Sequence, residues 1–340
     1  MYNQRKIILE EIGKSRNSTA ILYVTGDRRG MEVQIAADVI DIFADHLDAI
    51  VNSKKISLVL YTLGGSTLAA WNIVNMIREY CDDFEVIVLN KARSAGTLIS
   101  LGANRILMTN QSTLGPIDPS LTTPFNPVFP NSNPPIQIPV SVEDVKGYIN
   151  FAKRELNISK GSDFHDIYNK LSEKIHPLVI GSIFRSKEQI QMLAAKLLDM
   201  HFPKSKKNQK KKIISFLCSD SGSHDYTINK TEAIQLGLPI ENSGEEINRQ
   251  LKLLLADINT ELKLKEIFDP VKEVTMNSAP YNYLYKRGLI ESTLGGSHAF
   301  VSQGTFSIVT ANGGQRINDS RASEEWRKIA WFMLKNSRVL

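Results

Sequence analysis

SLVLYTLGG, residues 57–65, and FEVIVLNKARSAGTLISLG, residues 84–102, share one local grammar. Each is a short apolar run, then a turn of small residues, then a helical pattern. Runs of this length, bounded by turn signals, read as buried strands. Working outward, Ala20–Thr25 (AILYVT) is another such run, closed by Gly26–Asp27. Between the runs, residues 34–51 and Thr67–Tyr80 carry apolar residues at helical spacing, through Ile35, Val39, Phe43 and Leu47, then Ala70, Ile73 and Ile77. A further helix is expected from Ser94 to Gly102 and a fourth strand over Arg105–Met108. Short buried strands alternating with helices imply βαβ units around a parallel sheet, an α/β fold.

The texture then changes. Eight of the thirteen prolines fall between Pro116 and Pro139, which forbids a helix or a central strand there and predicts a long irregular loop. Helical patterns resume over Val142–Leu156, roughly 163–174 and 182–200. A short helix, Thr231–Leu238, stops at Gly237, and residues 245–267 form a long amphipathic helix. Its stripe of Ile247, Leu251, Leu254, Ile258 and Leu262 suits a core or a subunit contact. In the tail, Tyr281, Tyr283 and Tyr285 alternate, and Asn312–Gly313–Gly314 offers a tight turn. A small β-rich unit with a closing helix over Glu324–Lys335 is expected. The domain boundaries so read are 1–243, 244–268 and 269–340.

Composition is that of a soluble globular chain of 340 residues, 42% hydrophobic and 23% charged. The net charge of +5 is local, because six lysines lie in Lys204–Lys212 (KSKKNQKKK). That run reads as a solvated loop, and a nucleic-acid partner is not expected. Cys81 and Cys218 show neither a disulfide framework nor metal-ligand spacing. No signal peptide and no apolar run long enough to span a membrane is present, so a cytoplasmic location is expected. No nucleotide motif is found, and neither a cofactor nor a metal is expected.

Two turns could carry chemistry. Gly64–Gly65, after a strand and before a helix, lets backbone N–H groups face a ligand with no side chain in the way. An oxyanion hole needs such donors, although a plain tight turn has the same sequence. Ser94, at the start of the next helix among Ala92, Ala95 and Gly96, has room for a substrate carbonyl and a favourable dipole. Serine is equally a common helix N-cap.

The wording of four stretches, LVLYTLGGSTLAAWNIVNMIR (58–78), ARSAGTLISLGANRILM (92–108), STLGPIDPSL (112–121) and HDYTINKTEAIQLGLPI (224–240), resembles the serine dehydrogenase proteinase family. That family is related to signal peptide peptidases and the Clp proteolytic subunit. The resemblance implies a Clp/crotonase-like fold over roughly residues 20–240, with a helical extension and a small β-rich C-terminal unit beyond. It implies peptide-bond hydrolysis by Ser94, oxyanion donors among Gly64, Gly65 and Ala95, and assembly into homo-oligomers. The Clp triad would place a histidine near Leu114–Pro119, where there is none, while Asp225 matches the position of its aspartate. Signal peptide peptidases use a lysine on a helix after an intervening loop, which points to Lys146, with Lys153 as a rival on the same helix. His224 is the alternative base. A lysine serves as base only where burial favours its neutral form. His176, before a proline, reads as structural, Asp118 as a loop anchor, and His298 has no evident partner. Two other functions fit the pattern less well: a scaffold of this fold without a working base, and a crotonase-type acyl-CoA enzyme.

Overall fold

The computed structural model describes residues 1–50, 53–117, 120–121, 123–132, 135–158, 161–311 and 314–329. The chain forms two compact units, Met1–Leu114 with Asn229–Leu340, and Gly115–Ile228. This division differs from the expected boundaries at residues 243 and 268.

The first unit opens with α1 (Tyr2–Arg16), β1 (Thr19–Thr25), α2 (Ile40–Asp48), β2 (Lys55–Thr62), α3 (Thr67–Tyr80), β3 (Asp83–Ala92), α4 (Ala95–Leu101), β4 (Arg105–Met108) and β5 (Thr113–Leu114). The second unit holds β6 (Ser120–Leu121), β7 (Val140–Ser141), α5 (Val142–Arg154), α6 (Gly161–Lys174), α7 (Pro177–Asp199) and α8 (Lys207–Ser215). After β8 (Ile228–Asn229) come α9 (Lys230–Leu236), β9 (Ile240–Asn242), α10 (Glu245–Leu262), α11 (Pro270–Asn277), β10 (Tyr281–Ser292), β11 (Gly296–Ala311) and β12 (Gly314–Lys328).

The main sheet of the first unit runs β12-β11-β10-β1-β2-β3-β4-β9. From β1 to β9 the pairing is parallel, as the βαβ reading requires, and from β10 outward it is antiparallel. The β-rich tail therefore extends the central sheet, pairing Ile21 with Ser292 and Val24 with Leu289. One face is covered by α1 and α10, whose Ile8, Leu9, Ile12, Leu251, Leu254 and Ile258 pack on the sheet. The apolar stripe of α10 is thus consumed by the core, and its role as a subunit contact is not needed. Gly237, at φ 88, ends α9 in the left-handed region as expected.

The second unit has its own small core, built on Val140, Val145, Val179 and Ile183. Within the proline-rich segment, Asn126 is buried; its side chain accepts from the Thr123 N–H (2.8 Å) and donates to the Ile138 carbonyl (2.9 Å). Asp118 lies outside the described residues.

Two expectations are corrected. Lys204–Lys212 is helical, a short 3-10 turn over Lys204–Lys206 running into α8. Lysine is a good helix former, and Ile213 gives the segment a buried anchor. The closing helix is strand as far as Lys328, and residues 330–340 lie outside the described set. Here pairing overrides helix propensity. Trp326 lies opposite Phe300 on β11, at 5.6 Å between ring centroids, and Glu324 accepts from Ser302 at 2.8 Å.

His298 does have a partner. Its Nδ1 lies 3.0 Å from Nε2 of the buried His46, whose Nδ1 is 2.8 Å from the Ser292 hydroxyl. Burial, then His298 and Lys328, lower His46 from 6.5 to about 4. Burial and Lys328 lower His298 too, against Asp45, which raises it. The folded state therefore binds fewer protons than the unfolded chain between these values. Stability from His46 is complete above pH 6.5 and is lost as pH falls toward 4, by up to about 3 kcal/mol. Denaturant midpoints measured from pH 7 to 4 should show this slope, and His46→Gln should flatten it. An unchanged slope in that variant would contradict the assignment.

Candidate active site

Parallel strands β1, β2 and β3 end side by side at Thr25, Thr62 and Ala92. The carboxyl ends of such strands are where open α/β sheets place their sites. Register shifts after Leu60, so that Thr62 pairs with Ala92, and the Arg93 N–H donates to the Thr62 carbonyl at 3.1 Å. This ladder delivers the Gly64–Gly65 turn beside Arg93–Ala95.

The turn admits no side chain. Gly64 has φ 119 and Gly65 φ 142. A Cβ on Gly64 would stand 2.7 Å from Ser94 Cβ, and one on Gly65 would stand 2.3 Å from the Ile35 carbonyl oxygen. The Ile35 N–H donates to the Gly64 carbonyl (2.8 Å) and the Ser66 N–H to the Ile35 carbonyl (2.7 Å). That bridge leaves the Gly65 N–H out of the ladder, on the alternation of an extended backbone. The Gly64 N–H is already taken, donating to Thr62 Oγ1 at 2.9 Å. Of the two N–H groups, that of Gly64 is thus engaged, and that of Gly65 makes none of these bonds.

Ser94 sits at φ 49, ψ −113, outside the helical, extended and left-handed regions. Such a conformation costs of the order of 1–3 kcal/mol and persists only where the surroundings impose it. Its hydroxyl makes no capping bond to α4, which removes the ordinary reason for a serine there. All of α4, Ala95–Leu101, is buried. Gly96 lets it close on the sheet, since a Cβ there would lie 2.4 Å from Thr62 Cγ2. Strand, strained serine and buried helix give the backbone arrangement that a nucleophile elbow requires.

The expected residues thus divide. Gly64, Gly65, Ser94 and Ala95 come together in the first unit. Lys146, His224 and Asp225 belong to the second. Lys146, on α5, is 36% exposed with Nζ 3.8 Å from Glu143 Oε2. His224 and Asp225 are exposed in a turn where the Asp225 N–H donates to Ser223 Oγ at 3.2 Å. Lys153 lies 5.0 Å from the Phe164 ring centroid. His176 caps α7, accepting from the Leu178 N–H at 3.2 Å, and stacks on Phe125.

Sequence reading missed the polar residues behind these turns. Thr25 and Thr62 are fully buried, with hydroxyl oxygens 2.6 Å apart. Asp27 accepts from Lys91 Nζ (2.8 Å) and from the Tyr61 hydroxyl (2.7 Å), tying the ends of β2 and β3 to the loop after β1. Burial and Asp27 raise Tyr61 far above the ordinary phenol range. Partners this distant in sequence leave no local pattern to find. Among the described residues no His, Cys, Asp and Glu group could hold a metal, and burial pushes the Cys81 thiol up to about 11. Among the described residues, too, no helix is long and apolar enough to cross a membrane.

An uncharacterized protein of Methanocaldococcus jannaschii is 27% identical over 273 residues, 78% of this chain and 84% of that protein. A second from the same organism is 22% identical over 188 residues, 55% of this chain and 52% of that protein. Among solved structures, the chain is similar to the 1510-N membrane-bound stomatin-specific protease, with TM-score 0.39 and 16% identity, covering 68% of this chain and 85% of that one. It is also similar to ClpP1 from Listeria monocytogenes, with TM-score 0.36 and 14% identity, covering 69% and 99%. Residues 2–129, which supply Gly64, Gly65, Ser94 and Ala95, match the family model of ClpP-like SDH-type serine proteinases.

Proposed function

We propose that the chain hydrolyses peptide bonds through an acyl-enzyme on Ser94. The observation that carries this reading is the strained Ser94 backbone with a hydroxyl that caps nothing, set against the Gly64–Gly65 turn. Ser94 Oγ adds to the scissile carbonyl while its proton passes to a base. The Gly65 and Ala95 N–H groups receive the resulting oxyanion. Collapse breaks the C–N bond, the base returns the proton to the leaving amine, and water then cleaves the ester. A fluorophosphonate should add its mass at Ser94, and a label elsewhere, or none, would overturn the assignment.

The base proposed is Lys146, on the helix that follows the proline-rich segment, with His224 beside Asp225 as the competing candidate. Lys146→Ala should lower turnover at least tenfold while His224→Ala leaves most of it. The reverse pattern would move the proton to a Ser–His–Asp arrangement. The resemblance also supports a homo-oligomer, and a monomeric mass by light scattering at micromolar concentration would remove that part of the proposal.

A further inference from the structure

We infer that Thr62 is the positioning residue of the oxyanion turn, with Thr25 behind it. The kinetic consequence rests on the peptidase reading; the structural one does not. Thr62 is fully buried at the end of β2, and its two γ substituents face different parts of the site. The hydroxyl accepts the Gly64 N–H at 2.9 Å. The methyl meets α4 at Gly96, where a Cβ would come within 2.4 Å of it. One side chain therefore fixes both the Leu63–Gly64 peptide, on the near side of the turn, and the helix that begins after Ser94.

The hydroxyl matters for a specific reason. Gly64, at φ 119, has no side chain to limit rotation of its peptide, and glycine populates several backbone wells readily. The Gly65 N–H shares its peptide plane with the Gly64 carbonyl, which the Ile35 N–H holds at 2.8 Å, so its line also depends on how the plane before Gly64 is fixed. Electrostatic stabilisation of an oxyanion depends on donors oriented before the charge develops. The Thr62 acceptor fixes that preceding plane from inside the protein, so that Gly64 is held on both sides. Thr25 completes it: its hydroxyl oxygen lies 2.6 Å from that of Thr62. A hydroxyl oxygen can accept twice, so Thr62 can take the Thr25 proton and the Gly64 N–H together. Among the described residues, the other acceptor near the Thr62 hydroxyl is the Gly64 carbonyl at 3.5 Å, which is long. A threonine whose hydroxyl is directed by a second buried threonine is held in one rotamer.

The test separates hydroxyl from methyl. Thr62→Val keeps the shape and deletes the acceptor; Thr62→Ser keeps the acceptor and deletes the methyl. On a peptide substrate, Thr62→Val should lower kcat by 10- to 100-fold with KM within twofold, and Thr62→Ser should restore kcat to within threefold of wild type. Thr25→Val, which leaves the Thr62 hydroxyl undirected, should lower kcat three- to tenfold, and it serves if Thr62→Val does not fold. Amide exchange at Gly64 is read on the same proteins: protection in wild type and Thr62→Ser, and at least tenfold faster exchange in Thr62→Val. Equal kcat in wild type and Thr62→Val, or in wild type and Thr25→Val, would overturn the positioning role. A wild type that hydrolyses nothing, yet shows this exchange pattern, would overturn the peptidase reading and leave the hydrogen bond standing. Unchanged exchange in Thr62→Val would remove the hydrogen bond itself.

Discussion

Replacing Ser94 by glycine is expected to abolish hydrolysis and to raise the unfolding temperature in the same protein. Two independent properties of one residue produce the two effects. The hydroxyl is the proposed nucleophile, and loss of a nucleophile typically leaves only residual catalysis, a fall of at least 10³-fold in kcat. The backbone at φ 49, ψ −113 is strained for any residue with a Cβ. Glycine relieves that strain, about 1–3 kcal/mol, and gives back part of it through the freedom of the unfolded chain. The net gain should be about 1 kcal/mol, a degree or two in Tm for a chain of this size. Ser94→Ala tests the partition: it should be as inactive as the glycine variant with a Tm near wild type, because no capping bond is lost. If Ser94→Gly is less stable than Ser94→Ala, the strain is not real, and if either hydrolyses at the wild-type rate, the nucleophile lies elsewhere. Stability traded for geometry at one serine is what a functional elbow predicts and a capping serine does not.

How much of this was legible depends on whether a residue's partners are near it in sequence. The strand–turn–helix units around Gly64 and Ser94 are local, so periodicity and turn chemistry expose them directly. The strands β1 to β4 and the helices α3, α4, α9 and α10 fall close to where the apolar spacing puts them. What the spacing does not carry is which neighbour wins. Ser323–Lys328 has helical composition, yet β11 offers an unpaired edge beside it, and Glu324, Trp326 and Lys328 line up against Ser302, Phe300 and His298. The N-terminal segment was not read as an element, although Ile8, Leu9 and Ile12 make α1 a core helix. At the site, Ser94 and the glycines could be named, but the backbone angles that distinguish a nucleophile from a cap could not. Thr25 and Thr62 look like ordinary strand-end threonines until the register sets them face to face.

Arg5→Ala should cost about 3–5 kcal/mol of stability, by leaving a buried carboxylate without its partner. Arg5 is 1% exposed on α1, and its Nε and Nη2 hold both oxygens of the fully buried Glu291 on β10, each at 2.7 Å. Nη1 reaches Asp257 and Glu261 on α10, while Lys286 also pairs with Glu261 and the Met1 amine with Asp257. One guanidinium thus fastens α1 to a helix and a strand more than 250 residues away in sequence. Its fork geometry accounts for the choice of arginine, since lysine could not serve both Glu291 oxygens and α10 at once. The cost should come from the stranded Glu291, not from the lost attraction. Arg5→Met with Glu291→Leu should therefore recover most of what Arg5→Ala loses, because apolar packing can replace a buried pair. The pH dependence gives a second reading. Burial would raise the Glu261 carboxyl, but Arg5 and Lys286 outweigh it and hold it from 4.5 down to about 2. Stability from that shift is present above pH 4.5 and is lost as pH falls through the folded value. Removing Arg5 lets the carboxyl return toward its ordinary range, so this share is missing from the variant at every pH. The gap between wild type and Arg5→Ala in denaturant midpoint should accordingly narrow between pH 5 and pH 2. A variant within 1 kcal/mol of wild type at pH 7, or a gap that widens in acid, would show that the cluster is screened and that α1 is held by its apolar face alone.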